Sequence, residues 1–127
     1  MKEEVIEFAK LLIQNVRDLA IKSGDVQLHT NNLNSPIAKR WHDAKINGEI
    51  ERLQEMIISD SIDNTIFYFL HAIDEGLLNL SFKPLNGKEV NLSTDGLGEL
   101  SGWYMGEWRS KYTAERCFDD LTNNNES

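Results

Sequence analysis

The sequence predicts a mainly α-helical fold with a small β component (α+β): a compact bundle of four or five helices with a short β-hairpin near residues 78–92. Two patterns predict it. Before Gly76, apolar side chains recur every three or four residues, as on the buried stripe of a helix. After Gly76 they alternate, as in a strand. The length of 127 residues, 40% of them hydrophobic, suits one globular domain, which we expect at residues 1–121, followed by a frayed tail at 122–127.

The first predicted helix covers residues 2–22. Its apolar side chains share one face: Val5, Phe8, Leu12, Val16 and Leu19. Glutamates lie in its first turns and Lys22 lies near its end, which favours the helix dipole. Gly24 is placed to end the helix.

Three further helices follow in the prediction. Ser35 and Pro36 indicate an N-cap and a first helical position, and Asn47-Gly48 ends that second helix. A third apolar stripe covers roughly residues 49–59. Ser61 is a candidate cap for a fourth helix that ends at Gly76.

The fourth helix has a predicted core side and a predicted polar side. A helical wheel places four apolar residues on the core side: Ile62, Ile66, Phe69 and Ile73. We therefore expect Phe69 and Ile73 to be buried, and Asp63, Asp74 and Glu75 to be exposed.

The C-terminal part is harder to interpret. Alternating Leu78, Leu80 and Phe82, and then Asn86-Gly87 before Val90, predict the hairpin. Residues 96–112 receive no secondary structure assignment, since glycines at 96, 98 and 102 precede a run dense in aromatic residues.

Two expectations concern the end of the chain. Thr113 is a candidate cap for a last helix through Phe118 and Leu121. Among the aromatic residues, we expect Trp103 in the core and Trp108 nearer the surface, where it could contact a partner.

Charge divides the chain in two. Residues 1–52 contain eight acids and eight bases, whereas residues 53–127 contain thirteen acids and five bases, so the net charge of −8 belongs to the second part. Between Leu53 and Phe82 there is no Lys or Arg. Five acids fall in that stretch: Glu55, Asp60, Asp63, Asp74 and Glu75. We predict that these acids, together with Trp108, bind a basic protein partner.

The composition also argues against some classes of partner and some cellular locations. A pI near 4.8 argues against nucleic acid and anionic membranes, which are bound mainly through clustered Lys and Arg. The longest apolar run, Ile66 to Ile73, is far shorter than the roughly 20 residues of a membrane span. The single Cys117 cannot form an internal disulfide, and the N-terminus does not resemble a signal peptide, so we expect a cytoplasmic protein.

No metal site, cofactor site or catalytic residue is predicted. His71 and Glu75 stand four residues apart, but a zinc site needs three or four ligands. We therefore interpret His71 as a solvated or aromatic-packed histidine beside an acid.

Glu4-x-x-Glu7 and Asp60-x-x-Asp63 resemble the acidic pairs of the all-α nucleotide pyrophosphohydrolases, although the spacing and the second pair depart from that family. The resemblance implies an alternative function, a metal-dependent hydrolase of a phosphorylated small molecule.

The whole chain resembles, in general character, the small acidic immunity proteins of bacterial toxin systems. The resemblance lies in its size, in the acid-only stretch from Glu55 to Glu75, and in the aromatic run from Trp103 to Trp108. It implies a cytoplasmic protein that caps a basic toxin domain. A housekeeping protein whose acidity serves only solubility is the remaining alternative, and the sequence leaves the oligomeric state open.

Overall fold

The computed structural model of the chain describes residues 3–118. These residues form a mainly helical fold with one small antiparallel sheet, as predicted. The helices and strands follow in this order: α1 (Glu3–Leu12), a π-helical segment (Ile13–Arg17), α2 (Asp18–His29), α3 (Pro36–Ile46), α4 (Ile50–Asp74), β1 (Ser81–Phe82), β2 (Val90–Asn91), α5 (Leu92–Asp95), α6 (Leu100–Trp103), a second π-helical segment (Tyr104–Trp108) and α7 (Arg109–Tyr112).

The first helix is longer than predicted. Helix α1, the first π segment and α2 continue without a break, because the residues at both junctions keep right-handed helical angles. Gly24 lies inside α2, so the prediction that it ends the helix is wrong. The helix continues because its second half is held on α4: Asn64 Nδ2 donates to the carbonyl of Ala20 at 3.0 Å, and Leu28 packs on the core. These contacts outweigh the roughly 1 kcal/mol that a glycine costs a helix. The side chains of Glu4, Val5 and Phe8 lie outside the described part.

Helix α3 begins and ends as predicted. The Ser35 hydroxyl accepts a hydrogen bond from the backbone N–H of Ala38 at 3.4 Å, and Pro36 occupies the first helical turn. Asn47 is the C-cap, and Gly48 follows with φ +71°, a left-handed conformation that glycine adopts without strain.

Helix α4 is one helix of 25 residues, and the prediction of two helices joined at Ser61 is wrong. No Gly or Pro occurs between Ile50 and Asp74, so nothing in this segment interrupts the backbone hydrogen bonds. The helix ends at Gly76 as predicted, with φ +77° there. It packs against α2, α3, α6 and both π segments, which makes it the central element of the fold.

Two apolar clusters form the core around α4. One cluster is buried between α4, the first π segment and α6: Val16, Ala72, Ile73, Leu78 and Leu100. The other joins α3 to the first half of α4: Trp41, Ala44, Leu53 and Met56. Ile73 is fully buried as predicted, and Phe69 packs against the first cluster while remaining partly exposed. Ile62 is 55% exposed, contrary to its predicted core position, because its side of α4 opens onto a groove.

The C-terminal part confirms the hairpin and corrects the last helix. Ser81 pairs with Asn91 and Phe82 with Val90 in an antiparallel register. No helix follows α7 in residues 113–118. Thr113 instead has an extended conformation, and its hydroxyl accepts from the backbone N–H of Glu115 at 2.9 Å, a local turn that competes with a helix. Leu121 and the predicted tail at 122–127 lie outside the described residues.

Candidate functional site

Asp60 lies inside the protein and joins two helices. It is 5% exposed, and its Oδ2 accepts hydrogen bonds from Arg40 Nη2 and from Trp41 Nε1, both at 2.7 Å. Both donors belong to α3. Asp60 therefore connects α4 to α3, and its buried carboxylate is not presented at the surface to another protein.

Asp63, one turn further along α4, binds the C-terminal helical segment. Its Oδ1 accepts from the Tyr104 hydroxyl, and its Oδ2 from Arg109 Nη1, each at 2.8 Å. The side chains of Asp63 and Arg109 are 14% and 8% exposed. Burial, and next the hydrogen bond to Asp63, raises the pKa of Tyr104 well above its ordinary value, so this hydroxyl stays protonated as a donor.

Asp74 caps a helix that is distant in sequence. Its carboxylate accepts from the backbone N–H groups of Leu100 and Ser101, both at 2.9 Å, and from the Ser101 hydroxyl at 2.8 Å. These N–H groups open α6 and have no partner within that helix. The prediction that Asp63 and Asp74 are exposed is therefore wrong, because donors from other segments reach both acids.

Glu55 and Glu75 are exposed, as a partner-binding role requires, but they do not lie together. Twenty residues separate them, so they stand about 30 Å apart along α4. Glu75 Oε1 lies 3.6 Å from His71 Nε2, and His71 stacks on Phe67 with ring centroids 5.7 Å apart. The interpretation of His71 as an aromatic-packed histidine beside an acid is confirmed.

A large open groove lies between α4 and the chain from Tyr104 to Cys117. Its volume is about 1230 Å³. Asp63, Tyr104 and Arg109 are among its lining residues. Four large apolar side chains that also line it are more than half exposed: Ile58, Ile62, Phe82 and Tyr112. The groove thus combines an exposed apolar lining with polar groups that are already paired with one another.

Trp108 lines this groove, whereas Trp103 does not. Both rings are partly buried and pack against the first apolar cluster, with their centroids 5.8 Å apart. Trp108 is therefore a half-buried lining residue in contact with Trp103, and Trp103 is itself only partly buried in the core.

The second π segment explains how this part of the groove is assembled. The backbone N–H of Arg109 donates to the carbonyl of Tyr104, five residues earlier, which is the π-helical bond. The wider turn brings the side chains of residues five apart closer to one face than an α-helix does, so Tyr104 and Arg109 both reach Asp63. Such segments are rare and frequently occur at functional sites.

Comparisons with known proteins give no relative for this chain. No protein-family model, no curated protein and no solved structure matches it. Within residues 3–118, no helix combines the length and apolarity needed to cross a membrane.

Proposed function

We propose that this chain is an acidic protein-binding module that caps a basic partner in the cytoplasm, in the manner of the immunity proteins of bacterial toxin systems. The observation that supports the proposal is the groove beside α4, where Ile58, Ile62, Phe82 and Tyr112 leave large apolar side chains exposed. Clustered apolar exposure of this kind marks interaction surfaces in soluble proteins.

The chemistry of the groove suits a protein partner. Trp108 and Tyr112 supply the aromatic side chains that dominate binding energy at protein interfaces. Asp63 is already paired with Arg109 and Tyr104, so a partner that covers this part of the groove does not leave the Asp63 carboxylate unpaired.

Long-range charge supports a basic partner. The net charge of −8 arises in residues 53–127, and the exposed Glu55 and Glu115 belong to the groove end of the molecule. Arg116 Nε donates to the carbonyl of Glu55 at 3.1 Å, which holds the lining segment against α4 beside that acid. An excess of exposed acids speeds the approach of a cationic protein.

No observation among the described residues favours the hydrolase alternative. Of its four proposed ligands, Asp60 and Asp63 are bound to arginines at 2.7 and 2.8 Å, and Glu7 is exposed on α1. A metal ion at Asp60 or Asp63 would compete with these arginines. In the described part of the chain, no group of three or more His, Cys, Asp or Glu side chains is placed to hold a metal ion.

Substitution within the groove tests the proposal. Purified chain captures its partner from native cytosol, and the affinity of the identified partner is then measured for Ile62→Glu and for Leu85→Glu. Leu85 is fully exposed and does not line the groove, so it matches the charge change at a neutral site. We expect Ile62→Glu to weaken binding by about 2 kcal/mol or more and Leu85→Glu to leave it unchanged. An acidic partner, or equal binding by both variants, would contradict the proposal.

A further inference from the structure

A second groove lies on a different face of α4. It has a volume of about 580 Å³ and runs between that helix and the continuous helix formed by α1, the first π segment and α2. Small residues, Ala20, Gly24 and Ser61, contribute to its lining, and a Cβ atom added at Gly24 would meet no atom within 4 Å. The groove is therefore open enough to admit side chains from another helix.

The rim of this second groove carries an ordered pattern. Four lining residues follow one another at intervals of four along the helix: Ile13, Arg17, Ile21 and Asp25. Ile13 and Ile21 are 44% and 47% exposed. Arg17 and Asp25 are exposed as well, and the Arg17 contact with its neighbour Asp18, at 3.4 Å, is a surface pair of little strength. The rim thus alternates apolar side chains with one base and one acid.

We propose that this face binds a second copy of the chain and forms a two-fold symmetric dimer. In such a dimer the same patch on both copies must be complementary to itself. Arg17 and Asp25 each lie four residues, about 6 Å along the helix, from Ile21. A two-fold axis at Ile21 with antiparallel helices therefore sets Arg17 of one copy opposite Asp25 of the other, and does so twice.

Charge selects a second copy over the basic partner proposed for the first groove. Residues 1–52, which contain the rim, carry eight acids and eight bases, whereas residues 53–127 carry all of the net charge. Contact through α1 and α2 joins the two copies within residues 1–52, which carry no net charge, away from the acid-rich part of each chain. This face offers a basic protein no local excess of acids.

Sedimentation equilibrium of the full chain tests the dimer. We expect a mass that rises with concentration toward twice the 14.6 kDa of one chain. Ile21→Glu places a charge at the axis and should weaken association by about 100-fold. Leu85→Glu, which adds the same charge at a fully exposed residue outside both grooves, should leave association unchanged.

Charge reversal tests the register of the dimer. Arg17→Asp and Asp25→Arg should each weaken association by about tenfold, since each creates two repulsive pairs. The double reversal, Arg17→Asp with Asp25→Arg, recreates both pairs and should restore the affinity to within about threefold. Both positions are exposed, and thermal melts verify that each of the three variants is folded.

Three results would overturn the inference. The first is a monomer at all concentrations up to about 1 mM. The second is a dimer that Ile21→Glu leaves intact, because the copies would then meet elsewhere. The third is a double reversal as weak as the single ones, because Arg17 and Asp25 would then not face each other.

Discussion

The five acids from Glu55 to Glu75 fall into two groups that differ in what they bind. The inner acids, Asp60, Asp63 and Asp74, each join another helical segment to α4: α3, the segment around the second π turn, and α6. The outer acids, Glu55 and Glu75, face solvent near opposite ends of the helix. The charge pattern of the sequence does not separate the two groups, because all five acids lie in one stretch without Lys or Arg.

This difference teaches that a run of one charge sign in sequence does not define a charged face. Arg40 and Arg109 lie outside the stretch from Leu53 to Phe82, yet they neutralise Asp60 and Asp63. The charge available to a partner therefore comes from the outer acids and from other exposed acids of the chain. Substitutions should separate the inner acids, which act on stability, from the outer acids, which act on binding.

The largest expected effect belongs to Asp60. Asp60→Ala removes the carboxylate that pairs with Arg40 and Trp41 in an almost fully buried position. Breaking a buried ion pair on one side costs about 3–5 kcal/mol, so we expect the free energy of unfolding to fall by that amount. Urea denaturation of the variant and the parent chain measures the change. A loss below about 1 kcal/mol would place Asp60 in the same class as the outer acids.

Tyr104 provides an intermediate effect that depends on pH. Tyr104→Phe removes the hydroxyl that donates to Asp63 and should lower the free energy of unfolding by about 1.5–3 kcal/mol near neutral pH. The pKa of Tyr104 is raised in the folded protein, so its stabilisation is fully present below the unfolded value near 10. The stabilisation by Tyr104 is lost as pH rises from the unfolded-state pKa through the higher pKa of the folded state.

Denaturation from pH 8 to 11 tests this sign. The difference in stability between the parent chain and Tyr104→Phe should shrink above pH 10. Only the parent chain must keep the Tyr104 hydroxyl protonated in the folded state. Tyr112→Phe is a matched control, because Tyr112 is 71% exposed. A difference that stays constant with pH would contradict the role assigned to the Tyr104 hydroxyl.

The sequence predicted what local chemistry determines and missed what distant segments determine. Ser35-Pro36, Asn47-Gly48 and Gly76 gave correct helix ends, because caps and left-handed glycines act within a few residues. Ser61 does not cap a helix, because no Gly or Pro near it interrupts the backbone hydrogen bonds of α4. Alternation also predicted the hairpin correctly.

The site was less predictable than the fold for a related reason. The ion pairs of Asp60 and Asp63 depend on residues 20 and 46 positions away, and no pattern of spacing indicates such partners. No pattern in the sequence indicates the π turn between Tyr104 and Arg109. One clue was present: a buried acid needs a cationic partner, and Arg109 directly follows the aromatic run from Trp103 to Trp108.

The smallest effects on stability, and the most informative for binding, belong to the outer acids. Glu55→Gln and Glu75→Gln each remove one exposed charge and should change the free energy of unfolding by less than about 0.5 kcal/mol.

The effects of these two substitutions on association with a partner should differ. Glu55 belongs to the groove end of α4, whereas Glu75 stands about 30 Å further along, several times the screening length of about 8 Å at physiological salt. Once a basic partner is identified, stopped-flow measurements should show a slower association rate and a weaker salt dependence for Glu55→Gln than for Glu75→Gln. Equal slowing by both variants would mean that the partner senses the net charge of the whole molecule, and the groove would then lose its electrostatic support as the binding surface.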